Sequence, residues 1–253
     1  GLALLVVATL GLIEIHWQIL QAVAQQTWAM GGLVMAGSFV ILLVAMPPNL
    51  LAWPVRGHHG AYLQGAALIA FGLVAWWFGA CTIPGDPAPL PYVPILNPFD
   101  LVQAWILCAL AIWFREFGVF FGDRQRGFGN VLQIGLSVGV FIWLNIVVAR
   151  VVHFMGGVPY NPWDMFGSAV LQSAYSVLWS LAALVAMLEG WRRSRRRMWL
   201  SGAVLMAVVV GKLFLVDLDG RGTVARIVSF LGVGLLMLVV GYFCPLPPKE
   251  EKA

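Results

Sequence analysis

The stretch NVLQIGLSVGVFIWLNIVVARVV, residues 130–152, decides the fold, and its only charge is Arg150 near the end. About 20 apolar residues wound as a helix cross the roughly 30 Å hydrocarbon core of a bilayer, and a helix satisfies every backbone N–H and C=O within itself. The stretch therefore reads as a transmembrane span. Gln133, Ser137 and Asn145 interrupt it and offer a partial polar route through one leaflet.

Outward from this segment the same criterion marks seven more, approximately 1–20, 28–46, 61–80, 99–118, 168–189, 198–216 and 224–243. Turn and charge signals separate them: Pro47-Pro48, the Pro-rich 84–98, GDRQRGFGN, GGVPYNPWD, WRRSRRR and DLDGRG. The expectation is an all-α polytopic transmembrane helix bundle of about eight spans, forming one region over residues 1–253. Composition agrees. Of 253 residues 61% are hydrophobic and 10% charged, against roughly a quarter charged in soluble domains, and mean hydropathy is +0.88. Gly1 opens into an apolar run without the charged start and cleavage site of a signal peptide, so a C-terminal fragment of something longer is expected.

Charge placement sets orientation. Short cytoplasmic loops carry the Lys/Arg excess, and 11 of the 15 cations fall in loops 47–60, 114–129 and 190–197 and the tail from 244. Both termini are then cytoplasmic, in a bacterial inner membrane crossed many times. The five Arg of WRRSRRR read as a topogenic loop touching anionic lipid, not as a nucleic-acid patch, since no soluble domain accompanies them. Cys81, Cys108 and Cys244 suggest neither a disulfide nor a metal site, and His58-His59 has no acid or Cys nearby. No cofactor or metal is expected.

PYVPILNPFD (91–100) and GGVPYNPWD (156–164) both end in Asn-Pro-aromatic-Asp. Asn97 and Asn161 suit N-cap positions, Pro98 and Pro162 the first helical position, and Asp100 and Asp164 oppose the positive helix end. A duplicated external rim whose acids also meet a ligand is the other reading. In the first span Glu14, Gln18, Gln21 and Gln25 recur at helical spacing beside His16 and Trp17. Such a stripe serves either as interhelical hydrogen bonding or as an acid/base pair.

Arg150 and His153, spaced i, i+3, point the same way at the outer end of their span. Tyr160 and Asp164 follow closely, and Ser168, Gln172, Tyr175 and Trp179 lie roughly on one face of the next helix, outlining an outward-opening polar-aromatic groove. Arg150 snorkelling to headgroups is the plainer reading. The stretch KLFLVDLDGRGTVAR, residues 212–226, gathers Lys212, Asp217, Asp219, Arg221 and Arg226 between two apolar segments. Lys212, Asp217 and Asp219 form a structural charge cluster at a turn. Arg226, at the positive end of a helix, is expected to meet a carboxylate from Asp217, Asp164 or Glu14.

RVVHFMGGVPYNPWD, SAVLQSAYSVLWSLAALVAM, KLFLVDLDGRGTVARIVSFLGVGLLMLVVGYF and PLPP, between about Arg150 and Pro248, together resemble the C-terminal region of the DUF2339 family of predicted bacterial membrane proteins, and LNPFD is compatible. The resemblance implies a longer protein with further spans upstream. It implies no activity.

No Gly-x-Ser-x-Gly, P-loop, His-Glu-x-x-His or Rossmann fingerprint occurs. Three functions stay open. One is a cell-envelope transferase on a lipid-linked or glycan substrate, with His153, Asp164, Glu14 and His16 as acid/base candidates and Arg150, Tyr160, Gln172, Tyr175, Arg221 and Arg226 binding substrate. The second is a structural or assembly subunit partnered by membrane lipids and by upstream spans or other membrane proteins, without nucleic acid. Transport is the third.

Overall fold

A computed structural model describes residues 6, 10, 11, 13, 14, 17, 18, 26–51, 53–121, 125–212, 234 and 238. All regular structure among them is helical, and five helices are long and apolar enough to cross a membrane: Thr27–Val44, Arg56–Ala80, Pro98–Phe120, Gly129–Gly156 and Ala169–Arg192. These coincide with five of the eight expected spans. The expected spans 1–20 and 224–243 lie almost wholly outside the described residues, and 198–216 is described as far as Lys212. The chain divides into two compact units, Gly1–Tyr160 and Asn161–Ala253.

In the first unit, α1 (Gln26–Val44), α2 (His59–Ala80), α3 (Pro98–Phe121) and α4 (Gln125–Gly156) follow one another. Pro47 and Pro48 lack backbone N–H groups and stop the chain from continuing α1; short 3-10 turns at Pro48–Leu50 and Arg56–His58 carry it to α2. The helices run in alternating directions. At one end His59 of α2 meets the Phe120 ring of α3, and at the other the Trp77 indole donates to the Gln103 carbonyl at 3.1 Å. Along the α3–α4 seam a Cβ on Gly139 would lie 2.9 Å from the tip of the Leu107 side chain, which packs directly onto the glycine.

Ile41, Leu63, Ala66, Ala70, Leu73 and Ile106 form the buried centre where α1, α2 and α3 meet. Small residues among them let helices approach to packing distance where lipid offers no hydrophobic drive. Two polar contacts tie helices together at this core: Trp105 donates to Ser38 Oγ at 2.7 Å, and His59 Nε2 meets the Val44 carbonyl at 2.9 Å.

In the second unit a single-turn helix, α5 (Pro162–Gly167), precedes α6 (Ala169–Arg192) and α7 (Arg196–Lys212). Asn161 caps α5, accepting the Asp164 N–H, and Ser168 caps α6, accepting from Leu171. The expected span 168–189 thus begins with its own cap, and the Asn-Pro-Trp-Asp motif builds a separate turn. α6 and α7 form an antiparallel hairpin closed through glycine: a Cβ on Gly190 would lie 2.5 Å from the Trp199 backbone nitrogen, and one on Gly202 2.7 Å from the Ala183 carbonyl.

Candidate functional site

Asn97 shapes the start of α3. Its side-chain oxygen accepts the Phe99 N–H at 3.1 Å, and its amide donates to the Gly85 carbonyl at 3.0 Å, tying the loop before α3 to the helix start. Pro98 sits at the first helical position, where its missing N–H costs nothing. Asp100 therefore enters the first turn of α3, and Gln103 follows one turn later on the same face.

Their partner comes from fifty residues downstream. Arg150 of α4 donates through Nη1 to Asp100 Oδ1 and, at 2.6 Å, to Gln103 Oε1. Its Nη2 donates to the Ala80 and Ile83 carbonyls at 2.8 and 3.2 Å. Those carbonyls lie at and just beyond the C-terminus of α2, where helix carbonyls lack intrahelical donors and the dipole favours a cation. The Phe99 ring lies 5.0 Å from the guanidinium carbon, within cation–π range. Arg150, Asp100 and Gln103 are each 0% exposed. One buried side chain thus links α2, α3, α4 and the loop after α2.

A second layer surrounds this node. Trp143 donates to the Asp100 backbone carbonyl at 3.0 Å, and Tyr160 donates to the Cys81 carbonyl at 3.0 Å. Gln103 Nε2 faces Cys81 Sγ at 3.7 Å. His153 meets the Val158 carbonyl at 2.7 Å through Nδ1, while Tyr160 stands edge-on to its ring. Tyr92 stacks on Phe154 with centroids 4.4 Å apart. Gly85 is required beneath the node: its φ is +70°, and a Cβ there would lie 2.7 Å from the Phe99 ring.

Burial favours the neutral forms of the two tyrosines and the cysteine of this layer. Burial, reinforced by the Asp100 charge, pushes the Tyr92 hydroxyl up to about 12. Burial also raises Tyr160 and Cys81, against the opposing pull of Arg150. At neutral pH neither phenol ionises and the thiol stays protonated, which suits packing and hydrogen bonding better than nucleophilic chemistry. Three polar atoms at or near the node have no protein partner among the described residues: Arg150 Nε, Asp100 Oδ2 and the Tyr92 hydroxyl. No three His, Cys, Asp or Glu side chains gather as a metal set among those residues.

The residues singled out from sequence fall in three groups. Arg150, His153 and Tyr160 belong to the first unit and adjoin one another as described. Glu14, also in that unit, is exposed and accepts from Gln18 at 2.8 Å, one helical turn on. Asp164, Gln172, Tyr175 and Lys212 belong to the second unit. There Asn161 holds Asp164 at 2.6 Å, Gln172 donates to the Phe166 carbonyl at 2.9 Å, and Tyr175 stacks on Trp179. Lys212 reaches back to the Gln172 carbonyl at 2.9 Å and Ser176 Oγ at 2.8 Å. His16, Asp217, Asp219, Arg221 and Arg226, with the carboxylate expected for Arg226, lie outside the described residues.

Asp100, read from sequence as a cap or rim acid, is the Arg150 counter-ion. Gln103, Tyr92 and Cys81 were not among the site residues expected from sequence. The available signal was a polar pair at i, i+3, Asp100 and Gln103, at the start of an otherwise apolar helix.

Comparison with known families places this architecture. The model of the family described as predicted membrane protein (DUF2339) matches residues 1–247. The chain belongs to the DUF2339 family. The match runs far beyond the stretch 150–248 in which the resemblance was visible, and takes in Asp100, Gln103 and Arg150 alike. No curated protein and no solved structure matches the chain. This DUF2339 chain is thus a membrane protein whose buried Arg150 node is its most elaborated polar feature among the described residues.

Proposed function

We propose that this DUF2339 chain is a structural, helix-assembling membrane module in which the Arg150 node fixes the packing of α2, α3 and α4. The observation that carries this reading is that a wholly buried guanidinium directs four hydrogen bonds to its own chain. A substrate-binding arginine keeps donors for its ligand; here both terminal nitrogens are already engaged. In this reading the spans weave through a bacterial inner membrane with cytoplasmic termini, and the node lies toward the outer face. The alternating helix directions and the Lys/Arg bias of the loops support that orientation.

An envelope transferase draws support from one observation, the three unpartnered polar atoms Arg150 Nε, Asp100 Oδ2 and Tyr92 OH. Buried polar atoms carry a free-energy cost unless something answers them. Transport has less behind it. Ser137 and Asn145 donate to carbonyls of their own helix, at 2.8 and 2.7 Å.

The test removes both charges together. Replacing a buried ion pair by apolar side chains of similar volume is often neutral or stabilising, whereas removing one partner is strongly destabilising. In the full-length protein, the Asp100→Leu/Arg150→Met double variant leaves Gln103 Oε1 and two carbonyls without their donor but no uncompensated charge, so it is expected to accumulate better than either single variant and, where it folds, to complement a strain lacking the protein. A double variant that folds fully but never complements would overturn the assembly reading in favour of chemistry at the node.

A further inference from the structure

The turn between α6 and α7 concentrates positive charge. Between Gly190 and Trp199 the chain holds five arginines and no acid. The turn is narrow: the Arg195 N–H donates to the Gly190 carbonyl at 2.8 Å, Ser194 takes a φ of +53°, and Gly190 packs against the Trp199 backbone. All five guanidiniums therefore leave one end of the hairpin, with Arg192, Arg193, Arg195 and Arg197 exposed and Arg196 half-buried. Arg193 donates through Nε to Glu189 at 2.7 Å. Arg192, Arg196 and Arg197 enter no ion pair among the described residues, and no acid stands in the first turn of α7. Like charges gathered in this way repel one another, and an anion that settles among them relieves the repulsion.

Two features select a lipid headgroup over a free anion or a nucleic acid. The first is depth. α6 is long and apolar enough to cross a membrane, and Arg192 ends that span, so the cluster stands where hydrocarbon gives way to headgroups. Trp191, exposed, and Trp199, half-buried, flank the arginines, and Trp is the side chain enriched at that level. The second is the surface next to the charge. Leu200, Val204 and Val208 are all exposed, and their spacing puts them on one side of α7, running about 12 Å away from the arginines. A charged head beside an apolar stripe matches an amphiphile, whereas a free phosphate or an oligonucleotide gains nothing from the stripe.

We infer that the α6–α7 turn binds the headgroup phosphate of an anionic membrane phospholipid through Arg192, Arg196 and Arg197. A guanidinium suits this ligand because its planar fork of N–H donors matches two phosphate oxygens at once. The site lies outside the first unit and stands whether or not the assembly reading of the Arg150 node does.

The experiment uses the full-length protein, purified in a neutral detergent and offered phosphatidylglycerol or phosphatidylcholine with the same acyl chains. Bound lipid is counted by native mass spectrometry. The wild type is expected to retain phosphatidylglycerol in preference, and to release it as salt screens the charges. Arg192→Gln, Arg196→Gln and Arg197→Gln are made singly, so that four cations remain to orient the loop. Each is expected to weaken retention of phosphatidylglycerol about fivefold, the value of one basic residue near an anionic surface, and to leave phosphatidylcholine unchanged. Arg115→Gln, which removes an exposed cation already paired with Glu116, is expected to alter neither. Equal retention of the two lipids by the wild type, or single variants that hold phosphatidylglycerol as the wild type does, would overturn the inference. So would loss of the lipid to inorganic phosphate at an ionic strength where chloride leaves it bound, or an oligonucleotide held more tightly than the lipid.

Discussion

Arg150 and Asp100 form an ion pair in which both side chains are fully buried, one from the far end of α4 and the other from the first turn of α3. The pair ties helix ends at one level of the first unit. Gln103 and the Ala80 and Ile83 carbonyls complete the guanidinium's shell. Such a shell needs planar donors pointing in several directions, which an ammonium group lacks.

Arg150→Lys therefore keeps the charge and loses the geometry. The shorter, compact cation meets at most some of the four acceptors and leaves others buried and unanswered, at about 1–3 kcal/mol each. A lower midpoint in thermal unfolding of the purified protein, with Asp100→Asn lowered similarly, is the expected outcome. A Lys variant as stable as wild type would show that charge alone matters.

Gly85→Ala probes the same node from below. A residue with a Cβ pays about 1–2 kcal/mol for φ near +70°, and the added carbon would press on Phe99, which lies under the guanidinium. The expected result is loss of about 2 kcal/mol or more, read as a lower unfolding midpoint. Gly157→Ala shares the positive φ but meets nothing within 4 Å, so its loss should be smaller and confined to the backbone term.

How much of this was visible in the sequence depended on the range of the interaction. Residues 130–152 declared a span because hydropathy is a local sum, and Asn97-Pro98 and Asn161-Pro162 declared helix starts because a cap reaches only three residues. The Arg150–Asp100 pair spans fifty positions and depends on α3 and α4 running antiparallel in one register, which no local pattern encodes. Asp100 and Asp164 looked alike because their motifs are alike. Asp164 is held by its own Asn161, and Asp100 by an arginine from another helix.

Tyr92 gives a pH signature. Its hydroxyl titrates at about 12 in the fold against about 10 in an unfolded chain. The protonated form is therefore favoured by folding. Its contribution to stability is complete below pH 10 and is lost as pH rises toward 12, where the unfolded chain has already released the proton. In a spectrophotometric titration of tyrosinate absorbance, the wild type should show a late phase to which the partly buried Tyr160 also contributes, and Tyr92→Phe should reduce that phase by one phenol. Tyr92→Phe should also flatten the alkaline fall in stability. A late phase of undiminished amplitude in the variant would assign it to Tyr160 alone.

The α6–α7 hairpin of the second unit gives a contrast among three glycines. At Gly190 an added methyl would meet the Trp199 backbone, and at Gly202 the Ala183 carbonyl and the Met187 backbone. Backbone cannot rotate aside as a side chain can, so Gly190→Ala and Gly202→Ala should each cost about 1–3 kcal/mol through overpacking. Their effects should not add, because both widen one interface. Gly211 lies in α7 with nothing within 4 Å of its built Cβ, and Gly211→Ala should instead be neutral or stabilising by up to about 1 kcal/mol through helix propensity. Unfolding of the three variants and the 190/202 double under one detergent condition reads the ranking directly. Equal losses at all three positions would mean that general helix packing, not the close approach at Gly190 and Gly202, holds the hairpin together.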